Sequence, residues 1–284
     1  MKIVTYNIQY SRGRDDRFDL PRVAAALDGA DIIGLQEVDR FWKRTGLQDQ
    51  ARALAEMLPD HYWTFATGYD VAAVAKPVAD VETRGMRRQH GNMILSRWPI
   101  LSFRALRLPR GNPGTAWAQD RVLLEGVIDA PGGPLRVYVT HLCHVGPESR
   151  LPQVEAALSY FKTLTGDGPV WSGDHPAGDY WMDGDPAIPF SDDLLWMGDL
   201  NFTPDSAEYT QVVEAGLIDS WVSAGHDPLA EDAYTIRGMS PPHRTKRLDQ
   251  IFVSPGLASR VSAAWVDQDC IASDHFPSWV ELTE

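Results

Sequence analysis

Leu195-Trp196-Met197-Gly198-Asp199-Leu200-Asn201 is a hydrophobic run that ends on an acid and an amide two residues apart. In a strand closing on a tight turn, alternate side chains share a face, so Asp199 and Asn201 are expected to point together at the sheet edge. Such a pair can hold a water beside a phosphate. Asp and Asn after Gly are also ordinary turn formers, so the stretch needs company before it carries chemistry. Ser273-Asp274-His275, near the C-terminus, supplies part of it.

Other polar groups stand at the ends of strand-like segments. Asn7 closes Ile3-Val4-Thr5-Tyr6-Asn7, Glu37 closes Ile32-Ile33-Gly34-Leu35-Gln36-Glu37, and His141 closes Val137-Tyr138-Val139-Thr140-His141. Asp249 lies in Arg247-Leu248-Asp249-Gln250-Ile251-Phe252-Val253, and the Asp274-His275 pair completes the set. In order and strand context these motifs resemble those of the endonuclease/exonuclease/phosphatase superfamily, the DNase-I-like metal-dependent phosphoesterases. The resemblance runs from Lys2 to Trp279. It implies an α/β fold, a four-layered α-β-β-α sandwich of two packed mixed β-sheets with helices on the outer faces, and a site at the sandwich edge.

The chain has 284 residues, 44% of them hydrophobic, enough for a sizeable core. A site drawn from residues 7 to 275 would be dismantled by splitting the chain, so one domain spanning 1–284 is expected. The net charge of -13 argues against a grip on long nucleic acid, which usually rests on basic surface. Basic residues cluster at Arg84, Arg87 and Arg88, and at His243, Arg244, Lys246 and Arg247. These read either as two solvated loops or as phosphate or headgroup contacts. The sequence enters a strand pattern at Lys2 without a secretory leader, and no apolar run approaches a membrane span, so a cytoplasmic location is expected. Cys143 and Cys270 are too few for a disulfide framework and read as buried inert thiols.

Strand patterns lie near residues 2–7, 31–36, 62–66, 91–96, 121–128, 135–141, 194–198, 248–253, 262–266 and 277–282. Helical patterns lie near 20–28, 47–58, 150–164 and 205–215, the first opened by Asp19 as cap with Pro21 in its first turn. Two segments read as insertions that border the substrate, around 68–90 and 166–193. The second carries Trp171, Tyr180 and Trp181 among Asp174, His175, Asp179, Asp183 and Asp185. That mixture suits a cationic headgroup, an extra metal ion, or a solvated loop packed on its own aromatics.

In-line attack of water on a phosphodiester needs a cation, a group that positions the water, and donors for the developing charge. Glu37 is the candidate ligand for Mg²⁺ or Mn²⁺, as one ion or two, with Asn7 and Asp274 completing its surroundings directly or through water. Asp199 is expected to orient or deprotonate the water, with Asn201 holding the same water or a phosphoryl oxygen. Asp249 should lie near His275, fixing its tautomer and favouring its charged form, so that His275 donates to the phosphoryl oxygen. His141 either binds phosphate or protonates the leaving oxygen. In Gly91-Asn92-Met93-Ile94-Leu95-Ser96-Arg97, Asn92 either contacts His141 or phosphate, or is a turn residue beside a Gly91 of unusual backbone angle. Arg121 is placed to reach the phosphate.

Several activities share such a scaffold, and the core residues leave the substrate open. After Asn7 the chain reads Ile8-Gln9-Tyr10, which departs from the Gly-Leu-Arg-type continuation of apurinic endonucleases. Thr140-His141-Leu142-Cys143-His144 looks closer to the bacterial branch with sphingomyelinase-like hydrolases. The expected activity is a divalent-metal-dependent phosphodiesterase acting on a small-molecule or lipid-type phosphodiester. A nuclease and a catalytically silent binding module are the alternatives.

Overall fold

The computed structural model describes residues 1–73, 84–111, 117–167, 170, 176, 188–237 and 245–283. In chain order its strands are β1 (Lys2–Asn7), β2 (Ile32–Arg40), β3 (Tyr62–Ala72), β4 (Arg87–Ser96), β5 (Ile100–Leu108), β6 (Arg121–Ala130) and β7 (Gly133–His141). There follow β8 (Leu194–Asp199), β9 (Ile218–Asp219), β10 (Ile236–Arg237), β11 (Thr245–Lys246), β12 (Asp249–Val253), β13 (Val261–Val266) and β14 (Ser278–Leu282). The longer helices are α1 (Leu20–Ala25), α2 (Gln50–Met57), α3 (Pro147–Asp167) and α4 (Ala207–Glu214). One sheet runs β13-β14-β1-β2-β4-β3, the other β5-β6-β7-β8-β12-β9, and β10 with β11 forms a separate ribbon.

The strands are apolar on consecutive residues, rather than on alternate ones, because both faces of each sheet are covered. Ile3, Ile32, Leu195 and Met197 point between the sheets and form the central core with Val137, Val139 and Ile251. Their neighbours point outward. Val4, Ile33 and Leu35 meet Val23 and Leu27 of the α1 region and Leu54 of α2. Trp196 and Tyr138 meet Val154 and Phe161 of α3 and Val212 of α4. The result is the expected order of helix, sheet, sheet, helix. Asp19 caps α1 by accepting from the Arg22 backbone N–H at 3.0 Å, as its position suggested.

Three departures from the sequence reading have local causes. β5 has no counterpart among the expected strands, because it is an edge strand whose arginines interrupt the apolar pattern. Both ends of the expected insertion at 68–90 continue the β3–β4 ladder, paired from Tyr69 with His90 to Ala72 with Arg87; residues 74–83 lie outside the described residues. Gly91 sits inside β4, not in a turn. It serves close approach, since a Cβ there would stand 2.0 Å from the Ala66 carbonyl oxygen. Most of 166–193, including Trp171, Asp174, His175, Asp179, Tyr180, Trp181, Asp183 and Asp185, lies outside the described residues. Among the described residues no helix is long and apolar enough to cross a membrane.

Gly198 is the backbone hinge on which the site depends. Its φ is 152°, and a Cβ would fall 1.8 Å from the Thr140 carbonyl oxygen of the neighbouring strand. Gly198→Ala is therefore expected to destabilise the fold by ~3 kcal/mol or more, measured by urea unfolding. A change within about 0.5 kcal/mol of wild type, the range of ordinary surface substitutions, would contradict this account of the hinge.

Candidate active site

Strand register assembles most of the site. β7 and β8 are parallel and place His141 opposite Asp199; β8 and β12 are antiparallel and place Asp199 opposite Asp249. In the other sheet β1 and β2 are parallel, with Asn7 opposite Gln36. β1 packs across on β8 and β12, so the C-terminal ends of parallel strands from both sheets meet at one edge.

Glu37 arrives there through a bulge. Leu35 pairs with Met93 and Val38 with Gly91, so Gln36 and Glu37 together face the single residue Asn92. Glu37 has a φ of 60°, a left-handed conformation that a non-glycine residue keeps only under surrounding constraint. The extra residue re-aims the strand. Gln36 stays buried against Thr5, while Glu37 turns into a cavity of about 400 Å³.

Asp199 is the hub. Its Oδ2 accepts from Asn7 Nδ2 at 2.9 Å and faces His141 Nε2 at 3.3 Å and His275 Nε2 at 3.6 Å. Its Oδ1 accepts from the Asn201 backbone N–H at 3.2 Å, and the Asn201 amide nitrogen donates to the Leu142 carbonyl. That leaves the Asn201 side-chain oxygen as the amide group available to the cavity, which Asn201 lines. His275 Nδ1 meets Asp249 Oδ2 at 2.7 Å, the dyad anticipated from the sequence.

Burial opposes charge on His275, yet the carboxylates of Asp249 and Asp199 outweigh it and hold the imidazolium well above its ordinary range. Burial pushes Asp199 up to about 7, and Asp249 works in the same direction against His275. The two groups compete for a proton; we place it on His275, which two carboxylates flank. At 3.6 Å its Nε2 is beyond a hydrogen bond to Asp199, so that N–H is free for an entering oxygen.

His141 behaves differently. Burial, reinforced by Arg121 and the neighbouring histidines, lowers it well below the usual imidazole range and keeps it neutral. A neutral ring is a poor acid, so of its two expected roles this favours binding over protonation of the leaving oxygen. Its Nδ1 is buried without a hydrogen-bond partner among the described residues, 3.8 Å from Glu37 Oε1. With the ring hydrogen on Nε2, toward Asp199, two acceptors stand side by side with no donor between them. A divalent cation fits that donor set of carboxylate oxygen and imidazole nitrogen.

Of the other expected ligands, Asn7 is bonded to Glu37 and Asp274 to Gln9. Asn7 Nδ2 donates to Glu37 Oε1 at 3.2 Å, while Asn7 Oδ1 accepts from the Gln9 backbone N–H. Asp274 Oδ2 accepts from Gln9 Nε2 at 2.9 Å, and neither Asn7 nor Asp274 lines the cavity. Among the described residues, the group whose ligand atoms lie within 4.8 Å of one another is Asp199, Asp249 and His275. In that group the hydrogen bond to Asp249 engages His275 Nδ1, which leaves Nε2 as the ring nitrogen an ion could reach.

Arg121 lines the cavity, is buried, and its Nε has no hydrogen-bond partner among the described residues. Burial lowers its pKa, and the carboxylates of Glu37 and Asp199 counter that shift, so a buried guanidinium with an unsatisfied Nε lines the site. Asn92 does not bond to His141. Its amide nitrogen donates to the carbonyls of Val122 and Val139, tying the two sheets together. The first basic cluster is locked by its neighbours: Arg87 pairs with Asp70, and Arg88 lies over the Trp42 ring. In the second, Arg247 is buried against Asp219 at 2.5 Å; His243 and Arg244 lie outside the described residues.

One wall of the cavity is formed by Tyr10, Arg44, Tyr69 and His90; Tyr69 and His90 fall in the 68–90 segment expected to border the substrate, whereas Tyr10 and Arg44 were missed by the sequence reading. Gln9, Tyr10 and Ser11 are three successive non-glycine residues at positive φ, a strain of about 1–3 kcal/mol apiece that the surroundings must offset. Buried Gln50 does this by donating to the Tyr10 carbonyl and Ser11 Oγ while accepting from the Asp39 backbone N–H. A faint signal existed, the acid-basic alternation of Glu37-Val38-Asp39-Arg40 beyond the expected end of the strand.

The chain belongs to the endonuclease/exonuclease/phosphatase family, whose family model matches residues 4–275. This is a family of hydrolytic phosphoesterases, with phosphatase and nuclease members, and generally dependent on divalent metal. Three solved structures share the fold. A family protein from Beutenbergia cavernae is 21% identical with a TM-score of 0.65, covering 99% of this chain and 70% of that one. A mannosyl-6-phosphatase from Bacteroides thetaiotaomicron is 19% identical with a TM-score of 0.65, covering all of both chains. A 3' phosphatase from Neisseria, bound to a product DNA hairpin, is 19% identical with a TM-score of 0.61, again over all of both. No curated protein matches the chain by sequence.

Proposed function

We propose that the chain is a single-domain, divalent-metal-dependent phosphodiesterase that hydrolyses a small-molecule or lipid-type phosphodiester by in-line attack of water. The observation that carries this reading is the convergence of Asn7, His141 and His275 on Asp199 Oδ2. Asp199 orients the attacking water and takes its proton, and Asn201 accepts the water's second hydrogen. His275, held charged by Asp249, donates from Nε2 to a non-bridging phosphoryl oxygen as charge grows there. Arg121 holds a second phosphoryl oxygen. Glu37, which Asn7 holds in place, and His141 would hold Mg²⁺ or Mn²⁺, and the ion would supply Lewis-acid stabilisation of the developing charge.

The substrate size is argued from the cavity and the charge. About 400 Å³ suits a small ligand, and Arg87 and Arg88 are engaged by Asp70 and Trp42. A silent binding module would have no use for a buried acid and imidazolium competing over one proton. The test compares bis-p-nitrophenyl phosphate, p-nitrophenyl phosphate, a lipid phosphodiester and a DNA hairpin with Mg²⁺, Mn²⁺ or chelator. The small or lipid diester is expected to be cleaved fastest and only with an ion. Faster cleavage of the hairpin would overturn the reading in favour of a nuclease.

A further inference from the structure

Resting on the phosphoester reading, we propose that the wall formed by Tyr10, Arg44, Tyr69 and His90 is a subsite for a hydroxyl-rich organic group, a sugar or another polyol esterified to the phosphate. The two arginines of the cavity differ in kind. Among the described residues no carboxylate is bonded to Arg121, and its charge suits a phosphate. Arg44 donates to both oxygens of buried Asp39, at 2.7 and 2.9 Å, so the pair adds no net charge. Asp39 also holds His90 Nδ1 at 2.8 Å. A neutralised, rigidly held cluster of donors and acceptors favours neutral hydroxyls over a second anion.

The aromatic faces argue against a nucleobase. One face of Tyr10 is covered by Arg44 at 4.1 Å, and Phe18 is stacked at 6.0 Å. Tyr69 is stacked on His90 at 5.1 Å and meets Trp42 edge-on. With one face of each ring already packed inside the protein, Tyr10 and Tyr69 leave no open pair of faces for a base to enter between. Tyr69 lines the cavity, and burial raises its pKa, so its hydroxyl keeps its hydrogen to give. Trp117 also lines the cavity, tilted against His144 at 6.1 Å, and at 69% exposure it keeps ring surface open for the apolar C–H face of a sugar.

The experiment uses p-nitrophenyl phosphodiesters that share one leaving group and differ in the second ester: glucose through its 6-oxygen, cyclohexylmethyl, or thymidine. Wild type with Mn²⁺ is expected to show kcat/KM at least about tenfold higher for the glucose ester than for either other, the scale of one or two hydroxyl hydrogen bonds. Tyr69→Phe, which keeps the ring stack, should lower the glucose-to-cyclohexylmethyl ratio about fivefold or more. Arg44→Lys, which leaves Asp39 a cation, should lower the ratio in the same direction if Tyr69→Phe folds poorly. Turnover of all three at similar kcat/KM, or preference for thymidine, overturns the subsite and leaves the phosphodiesterase reading standing. Turnover of none overturns that reading and the subsite with it.

Discussion

His275→Asn is expected to lower metal-dependent kcat/KM about 10³-fold while leaving a folded chain. The wild-type ring is charged because Asp249 meets it at 2.7 Å and Asp199 lies beyond, and its Nε2–H is not spent on either carboxylate. Asparagine keeps a donor for Asp249, so the buried carboxylate is not stranded, but it removes both the positive charge and the second donor. A simple truncation to alanine would confuse chemistry with the cost of an unpaired buried charge. The comparison needs thermal unfolding beside kinetics. Turnover within a few-fold of wild type would remove His275 from the mechanism.

Glu37→Gln should act on the ion first. The change keeps the shape of the bulge and the hydrogen-bond reach of Asn7, but replaces the carboxylate beside His141 Nδ1 with a neutral amide. Mn²⁺ affinity, followed by calorimetry, is expected to fall at least about tenfold, with kcat/KM at limiting ion falling about 10²-fold and recovering in part as ion is raised. Because the two effects are read separately, the outcome locates the ion. Unchanged affinity with lost turnover would assign Glu37 to some other task and move the cation elsewhere, with Asp199, Asp249 and His275 the next candidates.

Much of this architecture was legible because strand ends are legible. Leu194 to Met197 is apolar on every residue, and a strand with both faces covered is what that pattern means. Once the run stops, the next polar residue stands at the sheet edge, which is why Asp199, His141, Asn7 and Asp249 were found together. What failed depended on events that period-two reasoning does not encode. The bulge at Gln36 and Glu37 sets two residues against Asn92, so β2 runs on to Arg40 and carries Asp39 beneath the cavity wall. The left-handed turn of Gln9–Ser11 is written in residues that ordinarily avoid that conformation. Asn92 was misread for a related reason: in mid-strand its amide closes the gap between sheets, whereas a turn would have exposed it.

The central claim is that the Asp199 cluster hydrolyses a phosphodiester with a divalent ion beside Glu37. Bis-p-nitrophenyl phosphate incubated with the chain and Mn²⁺ in ¹⁸O-water tests it most directly, with chelator as control. The account predicts p-nitrophenol release only with the ion, and one ¹⁸O on the phosphorus of the product. Release that persists in chelator, or none with any divalent ion, would contradict it.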